Sequence, residues 1–413
     1  MAQCSPLFHL SATPLGKNLM LRFLTAGESH GQALVAILEG VPAGLEIRRE
    51  FIETRLAARQ SGYGRGARMK IERDRAEFLS GVRDGRTLGT PIALLIPNKD
   101  WANWQKVMAP FKADAIAVED RAVHRPRPGH ADLAGALKFM HTDMRSVLER
   151  ASARETAAKT AVGAIGEMLL LEFDISIVAH VVRIGGVAAD TSRLSPKQMS
   201  RASEKSPVRC ADTVAARKMM KAIDEAGSEG DTLGGIVEAI AFNVPAGLGS
   251  HAQHDRRLDA RLAAAAMAVP AIKAVEIGEG VRLGQLRGSQ AHDEIFYSKK
   301  KGGRSAGFYR KTNRAGGIEG GISNGENIVV KATMKPIPTL KKPLRSVSLK
   351  TKRPLTAAVE RSDVCAVPAA SVIVRAAVAL EIANAMIEKF GGDSLTEMRR
   401  NFESYIDSMR KLR

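Results

Sequence analysis

The sequence predicts an α+β protein with mostly antiparallel sheets, and three observations lead there. Strand-like alternations often follow one another directly instead of alternating with helices. Glycine, 37 residues in all, separates them as turns. Helical apolar spacing is concentrated in a few Ala- and Leu-rich stretches. A parallel, doubly wound sheet would need a long crossover after each strand.

Taken in order, a strand-like run opens at Met20, and residues 1–19 read as an extension outside the fold. Alternating apolar residues mark strands at 34–38, 69–72, 77–79 and 92–96, bounded by Gly and Pro. Residues 49–59 place Phe51, Ile52 and Leu56 at helical spacing. The stretch 133–173 reads as two consecutive helices broken near 151–153. A strand is expected at 176–184, helices at 212–226 and 256–267, and strands at 235–242 and 328–334. A last helix, 369–390, should stop at the Gly391-Gly392 pair. Val-Pro-Ala-Gly-Leu occurs at 41–45 and again at 244–248, each time after an alternating strand. Either two similar turns end two strands, or the core is pseudo-symmetric and made of two related halves.

Composition narrows the function. Hydrophobic residues make up 45 % of the 413-residue chain and aromatics 4 %, so the core must be aliphatic. Cys4, Cys210 and Cys365 are three and far apart, which argues against a disulfide framework and for a reducing, cytoplasmic setting. The most apolar stretch, 367–387, carries Arg375 and Glu381 and is too polar to span a bilayer. The net charge is +18, with 38 Arg against 24 Lys. An excess of planar guanidinium forks favours recognition of carboxylate or phosphate. Nucleic acid is the other reading of such charge, but Trp 2, Tyr 4 and Phe 12 leave little for base stacking. The expected partner is a small anion, with no nucleic acid and no membrane. The competing reading is a basic RNA- or ribosome-associated protein that uses the Gly–Arg loop 59–68.

Several segments concentrate unusual residues. His30 lies among small residues in GESHG, 27–31, where glycine lets a ligand approach the backbone. Arg59, Arg65 and Arg68 flank and punctuate QSGYGRGARM, 60–69; their spacing rules out one helical face but allows convergence on one anion. RPRPGHAD, 125–132, is a proline-stiffened loop that carries Arg127 and His130 and runs into a helix at Asp132. In ERASARET, 149–156, Arg150 and Arg154 are one helical turn apart. MKPIPTL, 334–340, and RSDVCAVPAA, 361–370, add a cation, a hydroxyl and an Arg361–Asp363 pair.

These motifs, with DTLGG at 231–235 and NRAGG…EGG at 313–321, resemble in this order the chorismate synthase family. The likeness runs from Met20 to about Tyr405, a single catalytic domain over 20–413. It implies a β-α-β sandwich with helices between antiparallel sheets, usually a homotetramer. It implies a lyase of aromatic amino acid biosynthesis that eliminates phosphate from 5-enolpyruvylshikimate 3-phosphate to give chorismate. Reduced FMN is required without net redox change, with NADPH as an indirect reductant and a separate flavin reductase as a candidate partner. By the same resemblance, His30 is the acid beside the leaving phosphate, His130 meets flavin N1, and Asp363 takes the flavin N5 proton. Arg59, Arg65, Arg68, Arg127, Arg154 and Arg361 correspond to the substrate-anion cluster, and Arg59 and Arg65 also to nicotinamide-phosphate contacts. FMN contacts fall on Arg150, Ala151, Ser152, Pro270, Ala271, Gly320, Lys335, Pro336, Ile337, Pro338, Thr339 and Arg361. No metal site is implied. The extension 1–19, Arg375 on the long helix and the basic loop 298–304 depart from the family pattern.

Overall fold

The computed structural model describes residues 20–65, 74–111, 113–301, 303–360 and 362–411. The expected strand at 69–72, Arg68, Arg361 and residues 1–19 lie outside them. The first sheet runs Arg22–Ala26, Ala33–Glu39, Ile92–Pro97, Glu77–Phe78 in space, with every pair antiparallel. The second runs Ile272–Ile277, Ile328–Met334, Gly235–Phe242, Ser176–Ile184, Val187–Ala188, again antiparallel throughout. Helix Thr156–Leu171 packs on the first sheet, Leu258–Met267 and Val367–Phe390 pack on the second, and Arg49–Gln60 lies against the two helices Thr156–Leu171 and Val367–Phe390. The two buried helices, Thr156–Leu171 and Val367–Phe390, join the layers by packing along each other. Their close approach depends on Gly163, where a Cβ would sit 2.4 Å from that of Ala376. The long helix is the one described element apolar enough to cross a membrane, and it lies inside the protein.

The repeated pentapeptide is the trace of a duplicated core. Each half supplies two strands, the pentapeptide turn, a helix, a strand, a two-residue hairpin, a strand and a buried helix, in that order. Equivalent strands also occupy equivalent places in the two sheets. The turns are fastened by the same bonds. The Thr87 hydroxyl donates to the Pro42 carbonyl at 2.6 Å and accepts from the Leu45 N–H at 2.9 Å. The Ser323 hydroxyl donates to Pro245 at 2.6 Å and accepts from Leu248 at 2.8 Å. Gly44 and Gly247 stand at φ 89° and 96°, a backbone conformation that a side chain would strain.

Most expected strands and helices are present within a few residues of their predicted ends. The stretch 133–173 differs: it forms three α-helices, Asp132–Phe139, Arg145–Ala151 and Thr156–Leu171, with a 3₁₀ turn at Ala153–Glu155. The extra break comes at Met140, whose left-handed backbone (φ 56°) ends the first helix. Helices Pro196–Lys205 and Leu395–Arg410 were not anticipated, although each opens with a legible capping box, Ser195 with Gln198 and Ser394 with Glu397.

Thr87→Val should leave two buried backbone groups unpaired and cost about 1–3 kcal/mol, whereas Thr87→Ser should cost far less. Midpoints of urea unfolding check this; equal losses would show that the hydroxyl does not fasten the turn.

Candidate active site

The first strand ends at Gly27, where a Cβ would sit 2.4 Å from the Ala33 carbonyl oxygen, so the chain can turn sharply there. The turn brings His30 against the helix Arg145–Ala151. The His30 backbone N–H donates to Glu149 Oε2 at 2.7 Å, and its ring Nδ1 lies 2.8 Å from Oε1. Trp104 stacks on the imidazole at 3.8 Å and is itself flanked by the Arg121 and Arg145 guanidiniums. Burial alone would raise the Glu149 carboxyl, but its bonds to His30 and the nearby Arg145 hold it below its usual range. Glu149 thereby engages Nδ1 and sets the orientation of the ring.

Arg150 and Arg154 do not share a face. The helix breaks at Ser152 (φ −66°, ψ 144°), and the two side chains diverge. Arg150 donates to the Thr25 and Gly27 carbonyls at 2.8 and 3.0 Å and fastens the end of the first strand. Ser152 Oγ donates to Ser29 Oγ at 3.1 Å. Arg154 reaches Asp74, which Arg59 also binds, at 2.8 Å. Arg59 is therefore not a loop cation: it ends the helix Arg49–Gln60, is 4 % exposed, and also donates to Thr156 Oγ1 at 3.2 Å. Burial lowers the Arg59 pKa, and Asp74 only partly opposes this. One carboxylate thus faces two guanidiniums, and the buried Arg59 Nε has no partner among the described residues.

The RPRPGHAD loop is organised by Asp132. This carboxylate accepts from Arg127 Nε at 2.8 Å and Nη2 at 3.0 Å and from the Arg127 backbone N–H at 3.1 Å. His130 Nδ1 approaches it to 2.5 Å, so Nδ1 carries the proton and donates. The contact between Arg127 Nη2 and that same nitrogen then joins two donors and is not a hydrogen bond. Arg127 Nη1 donates to Thr339 Oγ1 at 3.0 Å, and Lys335 Nζ to the Gly129 carbonyl. The MKPIPTL loop is therefore docked on the RPRPGHAD loop.

Asp363 pairs with Arg65 at 3.0 Å, a cation 298 positions away in sequence, while Arg361, the neighbour the sequence pointed to, lies outside the described residues. The two segments are held by the Val364 N–H, which donates to the Gly64 carbonyl at 2.8 Å. Ser362 Oγ donates to the Thr339 carbonyl at 2.8 Å and ties this pair to the Arg127 region. Ala271 joins there too, because its carbonyl accepts from the Lys335 N–H at 3.0 Å, with Pro270 adjoining. Gly320 does not join. Its hairpin lies at the Ile328 end of the strand whose other end is Met334, about 20 Å away at ~3.3 Å per residue. Glu149, Trp104, Asp74 and Asp132 were missed as functional residues. Asp132 was read only as a helix-opening residue, and nothing in sequence spacing points to the other three.

The family profile described as chorismate synthase matches residues 21–387. The chain belongs to the chorismate synthase family. The chorismate synthases of Geobacter sulfurreducens and Moorella thermoacetica are each 56 % identical to it over 393 residues, 95 % of this chain and all of theirs. A crystal structure of chorismate synthase superposes with a TM-score of 0.76 at 41 % identity, covering 95 % of this chain and 99 % of that one. The protein is thus a carbon–oxygen lyase acting on phosphates, with the α+β sandwich its sequence predicted.

Burial opposes the charge on Asp132, but the hydrogen bonds from His130 and Arg127 outweigh it and hold the carboxyl well below the ordinary range. A folded value below the unfolded one, near 3.9, contributes stability above about pH 4 and loses it as pH falls toward the folded value. Asp132→Asn should lower stability at pH 7 and flatten its decline below about pH 4. Thermal midpoints followed against pH test this; an acid limb as steep as the parent's would refute it.

Proposed function

We propose that this lyase converts 5-enolpyruvylshikimate 3-phosphate to chorismate and phosphate by 1,4-elimination in the presence of reduced FMN. The observation that carries the reading is the pairing of two histidines, each held through Nδ1 by a buried carboxylate, with guanidiniums that have unused N–H groups. A substrate with two carboxylates and a phosphate requires such donors, because concentrated negative charge in a closed site is otherwise prohibitive.

The same residues fit a flavin mononucleotide. Gly129 leaves a gap that a Cβ would fill at 3.3 Å from Lys335 Nζ, a cation placed for a phosphate. Arg150, Ala151, Ser152, Ala271 and the loop from Lys335 to Thr339 would hold the cofactor, with His130 Nε2 turned away from Asp132 toward it. Reduced FMN, when bound, supplies electron density to the allylic system as phosphate departs.

His30, anchored by Glu149 and Trp104, donates a proton from Nε2 to the departing phosphate. Arg127, Arg154 and Arg65 neutralise substrate anions, and Asp363, steadied by Arg65, takes up the proton released in the elimination. Arg59 acts through Asp74 and Arg154, a placement that favours substrate positioning over nicotinamide binding. Gly320 meets this site in a homotetramer, supplied by a neighbouring copy. In support, nothing lies within 4 Å of a Cβ added there, and Asp84 takes the equivalent hairpin position in the first half at φ 49°. We place the enzyme in the cytoplasm, with reduced flavin supplied by a separate reductase.

Arg65→Ala should weaken substrate binding by about 2–5 kcal/mol and FMN binding much less, with Arg65→Lys recovering only part. Asp363→Asn should leave both affinities nearly intact and slow turnover by a factor on the order of 10²–10⁴. Anaerobic single-turnover kinetics and flavin absorbance titrations separate these effects. Loss of substrate affinity with unchanged chemistry in Asp363→Asn would make that residue structural.

Residues 20–413 carry the activity in this reading, since the relatives align over 393 residues. A chain begun at Met20 should turn over as fast as the full one. A drop of tenfold or more in kcat would show that residues 1–19 take part.

A further inference from the structure

A second cation cluster lies between the halves and uses none of the residues given roles above. Arg55 on the helix Arg49–Gln60 grips Glu167 with Nε at 3.0 Å and Nη2 at 2.8 Å. Arg375 on the long helix donates to the same Glu167 oxygen through Nη2. One turn earlier on that helix, Ser371 accepts from Arg209 Nε at 3.0 Å. Arg209 and Arg375 are 7 % and 8 % exposed, and Glu167 is deeper still. Burial, with Arg375 and Arg55 beside it, pushes the Arg209 guanidinium down to about 10, so it remains a cation at neutral pH.

The donors outnumber the acceptors. Glu167 takes two N–H groups from Arg55 and one from Arg375, and Ser371 takes one from Arg209. Arg375 Nε is buried without a partner among the described residues. The other terminal nitrogens, Nη1 of Arg55 and Arg375 and both of Arg209, find no acceptor among the described residues. The one further carboxylate acting on Arg209 and Arg375 is Glu204, on the exposed side of its helix. Arg209 also adopts a left-handed backbone (φ 54°), a conformation that costs free energy for a non-glycine residue and here points its guanidinium inward. Three guanidiniums against one interior carboxylate leave an excess charge that water can solvate but not neutralise.

We propose that Arg55, Arg209 and Arg375 form a binding site for a small tetrahedral oxyanion of the phosphate class. Several acceptor oxygens on one anion match several planar forks, which a halide cannot do. The bound anion would cross-link a helix of each half and the turn before the helix Thr213–Ser228. This site is independent of the catalytic reading, and its test measures binding.

Inorganic phosphate should raise the thermal midpoint of the full chain at constant ionic strength, and equilibrium dialysis should show saturable binding. Arg209→Gln and Arg209→Lys should each raise the half-saturating phosphate concentration at least tenfold and leave turnover within twofold. Arg209→Lys keeps the charge and decides the matter if Arg209→Gln does not fold. The proposal fails if Arg209→Lys binds phosphate as the parent does. It also fails if potassium chloride at equal ionic strength reproduces the rise, or if Arg65→Ala abolishes the response and Arg209→Lys does not.

Discussion

The buried carboxylate is the constraint on which the cation-rich parts of this protein depend. Glu149, Asp132, Asp74 and Glu167 have side chains between 0 % and 3 % exposed, and each binds two basic side chains. Arginine stays charged in nearly any surroundings, so a chain that turns guanidiniums inward must supply anions to meet them. Removing one such carboxylate strands a buried charge, typically at a cost of about 3–5 kcal/mol. Asp74 and Glu167 each bind two guanidiniums, so one unit of positive charge is left over beside each. The excess of positive charge in composition becomes, in the fold, a small number of sites with spare donors.

These sites sit where they do because the core is duplicated. Two sheets of matching strand order hold four helices between them, and the two long buried helices run together at glycine and alanine contacts. The pentapeptide turns reverse the chain at equivalent corners, with a Thr or Ser hydroxyl performing the same two bonds. The functional segments break this symmetry. Residues 123–151 and 335–365 fall at the same place in the two halves, between the last sheet strand and the buried helix, but one forms helices and the other a hairpin, and they dock on each other through Arg127, Thr339 and Ser362. A symmetric aliphatic scaffold thus carries an asymmetric, highly charged site.

Two histidines with the same anchoring pattern serve different ends in this arrangement. His30 is clamped by Glu149 and an aromatic stack, which fixes its ring plane as well as its proton. His130 is held by Asp132 within a loop that Arg127 and Lys335 bind to the MKPIPTL segment. Engaging Nδ1 in each fixes the ring's orientation and tautomer through the carboxylate behind it.

The sequence alone determined the family and the secondary structure of most of the core, because these rest on local pattern, whereas the repeated pentapeptide left duplication open against two similar turns until the matching strand orders decided it. Strands Gly235–Phe242 and Ile328–Met334 have the bounds that alternation predicts, and the motif order is specific over nearly the whole chain. What it left open was the partner of each charge. Arg150 and Arg154 looked like neighbours on one helix face until a break at Ser152 sent them to Thr25 and Asp74. Asp363 binds Arg65, 298 positions away, and His30 finds Glu149 119 positions away. Local periodicity constrains a residue's face, but a charge is paired by whatever the fold brings within about 3 Å of it. That choice is made by the packing of distant segments, and only the tertiary structure decides it.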